Sequence, residues 1–143
     1  MKIPTSTENF LEEFFHSIDL LNTLGDLRIR QFIVRLNNPS DEIIASGVIE
    51  VFKNKDRSKT LYIDQKYAGK ILEQFNPESD LELGTILKST IENWNKSVPE
   101  FPFWLRKNYG SDTLRKEIIQ LETQQLTDVE LDKLKTLKWW LKI

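Results

Sequence analysis

One histidine, no cysteine and five scattered glycines set the chemical repertoire of this 143-residue chain. His16 follows Glu13 in a Glu-x-x-His spacing, which puts two metal ligands on one helix face. Carboxylate-bridged dinuclear centres need two such pairs plus two more carboxylates, and a second pair needs a second histidine. The expectation is a partly exposed histidine with Glu12 and Asp19 within one turn, no bound metal and no cofactor. Without cysteine there is no thiolate zinc site, thiol nucleophile or disulfide framework. No serine stands in a Gly-x-Ser-x-Gly turn, and glycines 25, 47, 69, 84 and 110 form no phosphate-cradling loop. The carboxylate pairs Asp128/Asp132 and Asp80/Glu82 fall at helix starts, where acids complement the helix dipole, and structural roles account for both.

Two surfaces remain as binding candidates. The first is basic. Arg28 and Arg30 share a face if their segment is a strand, and Lys53, Lys55, Arg57 and Lys59 surround a hairpin loop beside it. Such cations can contact phosphates, with Phe52 and Tyr62 as stacking surfaces, although Glu50 and Asp56 interleave with them. Lysines at strand edges also guard against pairing between molecules. The second surface is aromatic: Trp94, Phe101, Phe103, Trp104 and Tyr109, with Arg106 nearby, on a stretch made irregular by Pro99 and Pro102. Rigid aromatics of this kind build either a buried crossover or a protein interface. Trp139 and Trp140 occupy adjacent helix positions and point about 100° apart, so one of them covers a second surface.

The elements that must carry these residues read as follows. Phe10, Phe14, Ile18 and Leu21 predict a helix from Ser6 to Leu24, opened by a Thr5/Glu8 capping box and closed by Gly25. The β-formers of Leu27–Leu36, Ile43–Phe52 and Thr60–Ile63 predict three strands with short connections. Gly47 within the second marks a bulge or a close approach. Helices then follow from Asp64, from a Ser79/Glu82 capping box, from Ser111 or Asp112, and from Thr127. The last has a Thr127/Glu130 capping box and a Leu126/Leu131 hydrophobic staple. The fold class expected is α+β: an N-terminal helix, a three-stranded antiparallel meander, then about four helices packed on the sheet, in a single domain over residues 1–143.

Charge is uneven along the chain. Residues 27–70 carry nine Lys/Arg against five acids, whereas residues 71–100 carry two against six, and the whole chain is near neutral at −2. The N-terminus, Met1 to Ser6, lacks an apolar leader and no stretch reaches membrane length, so a soluble, cytoplasmic protein is expected. The leading functional expectation is a non-enzymatic interaction or regulatory domain (adaptor, inhibitor or immunity-like) that binds another protein through its aromatic surface. The alternatives are a nucleic-acid-binding accessory protein using the basic region, and a small-molecule-binding or enzymatic domain with an unrecognised pocket.

Overall fold

The segment richest in β-branched residues is helical. In the computed structural model, which describes residues 3–143, Asp41–Lys53 is an α-helix, and no strand occurs among the described residues. Met1 and Lys2, where the N-terminal reading begins, lie outside the described residues. The helices run α1 Thr7–Asp19, α2 Leu21–Leu24, α3 Leu27–Arg35, α4 Asp41–Lys53, α5 Leu61–Phe75, α6 Leu83–Thr90, α7 Glu100–Tyr109, α8 Ser111–Glu122 and α9 Asp128–Leu141. A 3-10 turn, Ser58–Thr60, leads into α5.

The α+β expectation is thus overturned, and the reason lies in periodicity. In α3 the buried side chains are Ile29 and Phe32, with Leu36 just beyond, a spacing of one helix face. In α4 they are Ile44, Ala45, Val48, Ile49, Val51 and Phe52, which no alternating strand would bury together. β-branched residues fit a helix when tertiary packing rewards their burial, because their intrinsic penalty is only a few tenths of a kcal/mol, roughly. The start of α4 is also marked. Ser40 accepts from the Ile43 N–H, and Asp41 and Glu42 occupy the first turn. The third expected strand, Thr60–Ile63, is the junction of the 3-10 turn and α5.

Other boundaries shift for local reasons. Ser6 rather than Thr5 caps α1, accepting from the Asn9 N–H, while Thr5 donates to the Asn9 side chain. The first helix breaks at Leu20, so the expected single helix is α1 plus the short α2, and Gly25 follows with φ 61°. Ser79 and Glu82 make no box: Ser79 Oγ accepts from Leu81 N–H, and Glu82 precedes α6 without a side-chain cap. The stretch expected to be irregular is mostly α7. Pro99 precedes it and Pro102 lies in its first turn, where a missing N–H costs no intrahelical bond. The box on α9 forms as expected, with both Thr127 and Glu130 bonds present, but Leu131 of the expected staple is exposed.

Packing runs in order across the molecule. The helix α1 lies on α3 and α4, α4 on α5 and α6, α5 on α7, and α7 on α8 and α9. Phe10 and Phe14 of α1 meet Phe32 of α3 edge to face, and Phe52 of α4 stacks on Phe101 of α7 at 4.4 Å. Two polar junctions, built around the buried side chains Gln65 and Asp64, fix the middle. Gln65 donates to the Asn93 carbonyl and accepts from the Asn95 N–H, while Asn93 donates to the Phe52 and Asn54 carbonyls. Arg57 binds Asp64 and Asp19 through four hydrogen bonds and lies over the Phe15 ring at 4.3 Å. Burial by itself lowers the Arg57 pKa, but the hydrogen bonds to Asp64 and Asp19 outweigh it and hold the value above the ordinary one.

Candidate functional site

The expected aromatic segment divides into a buried half and an exposed half. Trp94 is buried and donates its indole N–H to the Val98 carbonyl at 2.9 Å. Trp104 is buried and donates to the Pro77 carbonyl at 2.9 Å, and Phe101 is buried against Phe52. These three belong to the core, where an indole needs both apolar contact and an acceptor. Tyr109 is half-buried at the end of α7. Its hydroxyl donates to the Leu81 carbonyl at 2.6 Å and lies 3.2 Å from Ser79 Oγ. Burial raises its pKa above the ordinary tyrosine value.

Phe103 and Trp139 are exposed, with Trp140 half-buried beside them. Phe103 projects from α7 at 39% exposure, and Trp139 projects from the last turn of α9 at 69%. Trp140 joins them: its ring meets Phe103 edge to face at 6.1 Å and Trp139 at 4.9 Å. Its indole N–H is tied back to the Lys96 carbonyl at 2.9 Å. Arg106 lies over Phe103 at 5.4 Å and reaches the Leu141 carbonyl at 3.4 Å. The row is continued by a shallow cavity of about 240 Å³ between α5 and α7, lined by Leu72, Glu73, Asn76, Phe103, Trp104 and Lys107, with Glu100 at its edge.

The cations of the basic region are separated by the helical fold, and most are paired. Helix positions two apart point to nearly opposite sides, so Arg28 and Arg30 do not share a face. Arg28 turns to Glu13 on α1 at 3.0 Å, and Arg30 turns to Asp26 at 3.1 Å. Lys53 pairs with Glu50, Lys55 with Glu92, and Arg57 with Asp19 and Asp64. Lys59 is exposed in the 3-10 turn. Phe52, expected to offer a stacking face, is buried.

Glu13 is occupied by Arg28, and His16 is exposed on α1. Among the described residues no group of three or more His, Asp or Glu side chains is placed to hold a metal ion. No helix among the described residues is long and apolar enough to cross a membrane. One cation outside the expected set has a shifted pKa. Burial lowers that of Lys133, whose ammonium donates to the Glu92 and Trp94 carbonyls beyond α6.

No protein-family model matches the chain, and neither a curated protein nor a solved structure matches it.

Proposed function

We propose that this chain is a non-enzymatic interaction domain that binds another protein through Phe103, Trp139 and Trp140. The supporting observation is Trp139, a large aromatic ring 69% exposed and backed by Trp140 rather than by solvent. Aromatic anchors contribute strongly at interface centres, because they bury much area while losing few rotamers. The adjoining cavity gives a partner side chain a seat beside the ring row. Nucleic acid is less well supported, because the helical fold disperses the six candidate cations and buries Phe52, the expected stacking face.

The test is retention of proteins from native-cell extract on immobilised wild-type chain, Trp139→Ala and Lys116→Ala. The reading expects a protein kept by wild type and Lys116→Ala and lost by Trp139→Ala. Equal retention by all three, or none by any, overturns it.

A further inference from the structure

A second exposed apolar face lies on α3. The helix turns Ile29 and Phe32 inward, so Leu27, Arg30, Gln31, Val34 and Arg35 face outward. Leu27 is 50% exposed and Val34 65%, and Leu24, just before the helix, is 55% exposed. Leu27 and Val34 are seven residues apart, which places them on one stripe about 10 Å long. A polar outer face is the norm for a surface helix, and two aliphatic side chains on the outer face of this short helix depart from it.

The stripe floors a shallow groove of about 460 Å³ lined by Leu27, Arg28, Arg30, Gln31, Val34 and Arg35. Its walls are cationic. Residues 27–40 contain three arginines and no acid. Arg28 and Arg30 each spend part of their guanidinium on one carboxylate, and a planar guanidinium has donors to spare. Arg35 makes no ion pair among the described residues. The principal packing of α3 is on α1 and α2, which leaves this side open.

We infer that the groove formed by Leu27, Val34 and the arginines of α3 docks an amphipathic acidic helix of a partner protein. A partner helix with apolar residues at i, i+3, i+4 and i+7 matches the length of the stripe, as helix-in-groove recognition requires. Glutamates or aspartates flanking those residues meet Arg30 and Arg35 in the bidentate geometry that guanidinium favours. A nucleic-acid strand is the poorer fit, because the floor is aliphatic and gives a base no ring to stack on. This face is separate from Trp139: α9 packs on α7, α7 on α5, and α5 in turn on α1 and α4. Two such faces on one small domain would let it bridge two proteins.

The test uses four probes on the isotope-labelled full chain: a designed amphipathic peptide with leucines at i, i+3, i+4 and i+7 flanked by glutamates, the same peptide flanked by lysines, oligo-dT, and vesicles of phosphatidylserine with phosphatidylcholine. The glutamate peptide is expected to shift amide resonances of residues 24–36 and to weaken with salt. Val34→Asp and Arg35→Glu are each expected to weaken it about tenfold, which corresponds to ~1.4 kcal/mol. Both positions are exposed, and circular dichroism checks that the variants keep their helix content. The inference is overturned if the two peptides bind alike, if neither binds, if the shifts fall outside α2 and α3, or if oligo-dT or the vesicles occupy the groove in preference.

Discussion

Phe103 and Trp140 meet edge to face across α7 and α9, their planes at 82°. This arrangement places the positive edge of one ring on the negative face of the other, and it contributes about 0.5–1.5 kcal/mol beyond area burial. Trp140 is therefore a support, held by Phe103 and by its bond to the Lys96 carbonyl, and Trp139 is the ring it presents. Trp139→Ala should change unfolding free energy by no more than about 0.5 kcal/mol, as exposed substitutions do. Trp140→Ala should cost about 1–3 kcal/mol through lost packing and a lost hydrogen bond. Urea unfolding of the two variants checks both; equal losses would contradict this division of roles.

The same division predicts the fluorescence. Trp94 and Trp104 are buried and Trp140 is partly covered, so acrylamide should quench mainly Trp139. Trp139→Phe should remove most of the quenchable emission and shift the remaining spectrum to the blue. A Stern–Volmer slope unchanged by this substitution would place the exposed ring elsewhere.

Gly47 is buried in α4 beneath the Phe10 ring, and an added Cβ would fall 2.6 Å from Phe10 Cγ. Phe10 is itself locked between Phe14 and Phe32, so it has little room to yield. Gly→Ala inside a helix gains about 1 kcal/mol in propensity, whereas overpacking a core costs about 1–3 kcal/mol. Gly47→Ala should therefore lower stability, against the propensity expectation. An increased urea midpoint would show that α1 can move away from α4.

The helices α1, α5, α6, α8 and α9 are legible in the sequence, whereas α3, α4 and the fold class are not. The Thr127/Glu130 box stated the start of α9 outright, because capping is a local bond between residues three apart. Helix geometry sends Trp139 and Trp140 off in directions about 100° apart, yet their rings meet at 4.9 Å. Ile, Val and Phe favour strands by type, but here their spacing is helical. Ile29, Phe32 and Leu36 repeat with the helix period, and Ser40-Asp41-Glu42 is a start signal of its own, a cap followed by two acids, though it lacks the reciprocal box of Thr127. Of the two expectations for Gly47, a bulge or a close approach, the helix contains the close approach, to Phe10. On a strand, Arg28 and Arg30 share a face while Leu27 and Val34 lie on opposite faces; on the helix α3 the reverse holds. Which aromatics of residues 94–109 are buried was not legible at all, since it depends on Pro77 and Val98 supplying indole acceptors.

Arg57 joins the chain before α5 to α1 and to the first turn of α5, and Asp64 beneath it is buried. Removing the guanidinium strands that carboxylate, a loss of up to about 3–5 kcal/mol when a buried pair is broken. Arg57→Ala should approach that range from below, because one-fifth of the Arg57 side chain is exposed. Arg57→Lys should recover only part of it, since an ammonium cannot bind two carboxylates in a fork and cover Phe15 at once. Pairing Arg57→Ala with Asp64→Asn should cost less than the sum of the single changes. Additive losses in that double-mutant cycle would show that the two residues stabilise the fold independently.

Tyr109 supplies a pH-dependent term. Burial, with a smaller push from Asp80, holds its phenol protonated to higher pH than in the unfolded chain. Where the folded form keeps a proton that the unfolded form has lost, stability falls as pH rises. The contribution is thus complete below about pH 10, the unfolded value, and is lost as pH climbs through the raised folded value. Tyr109→Phe removes that titration together with the bond to the Leu81 carbonyl, at a cost of about 1 kcal/mol near neutrality. The stability gap between parent and variant should narrow as pH rises above about 10, the unfolded value, as other titrating groups cancel in the comparison. Urea unfolding at stepped pH measures the gap directly, and a gap that stays constant would mean that Tyr109 titrates alike in the folded and unfolded chains.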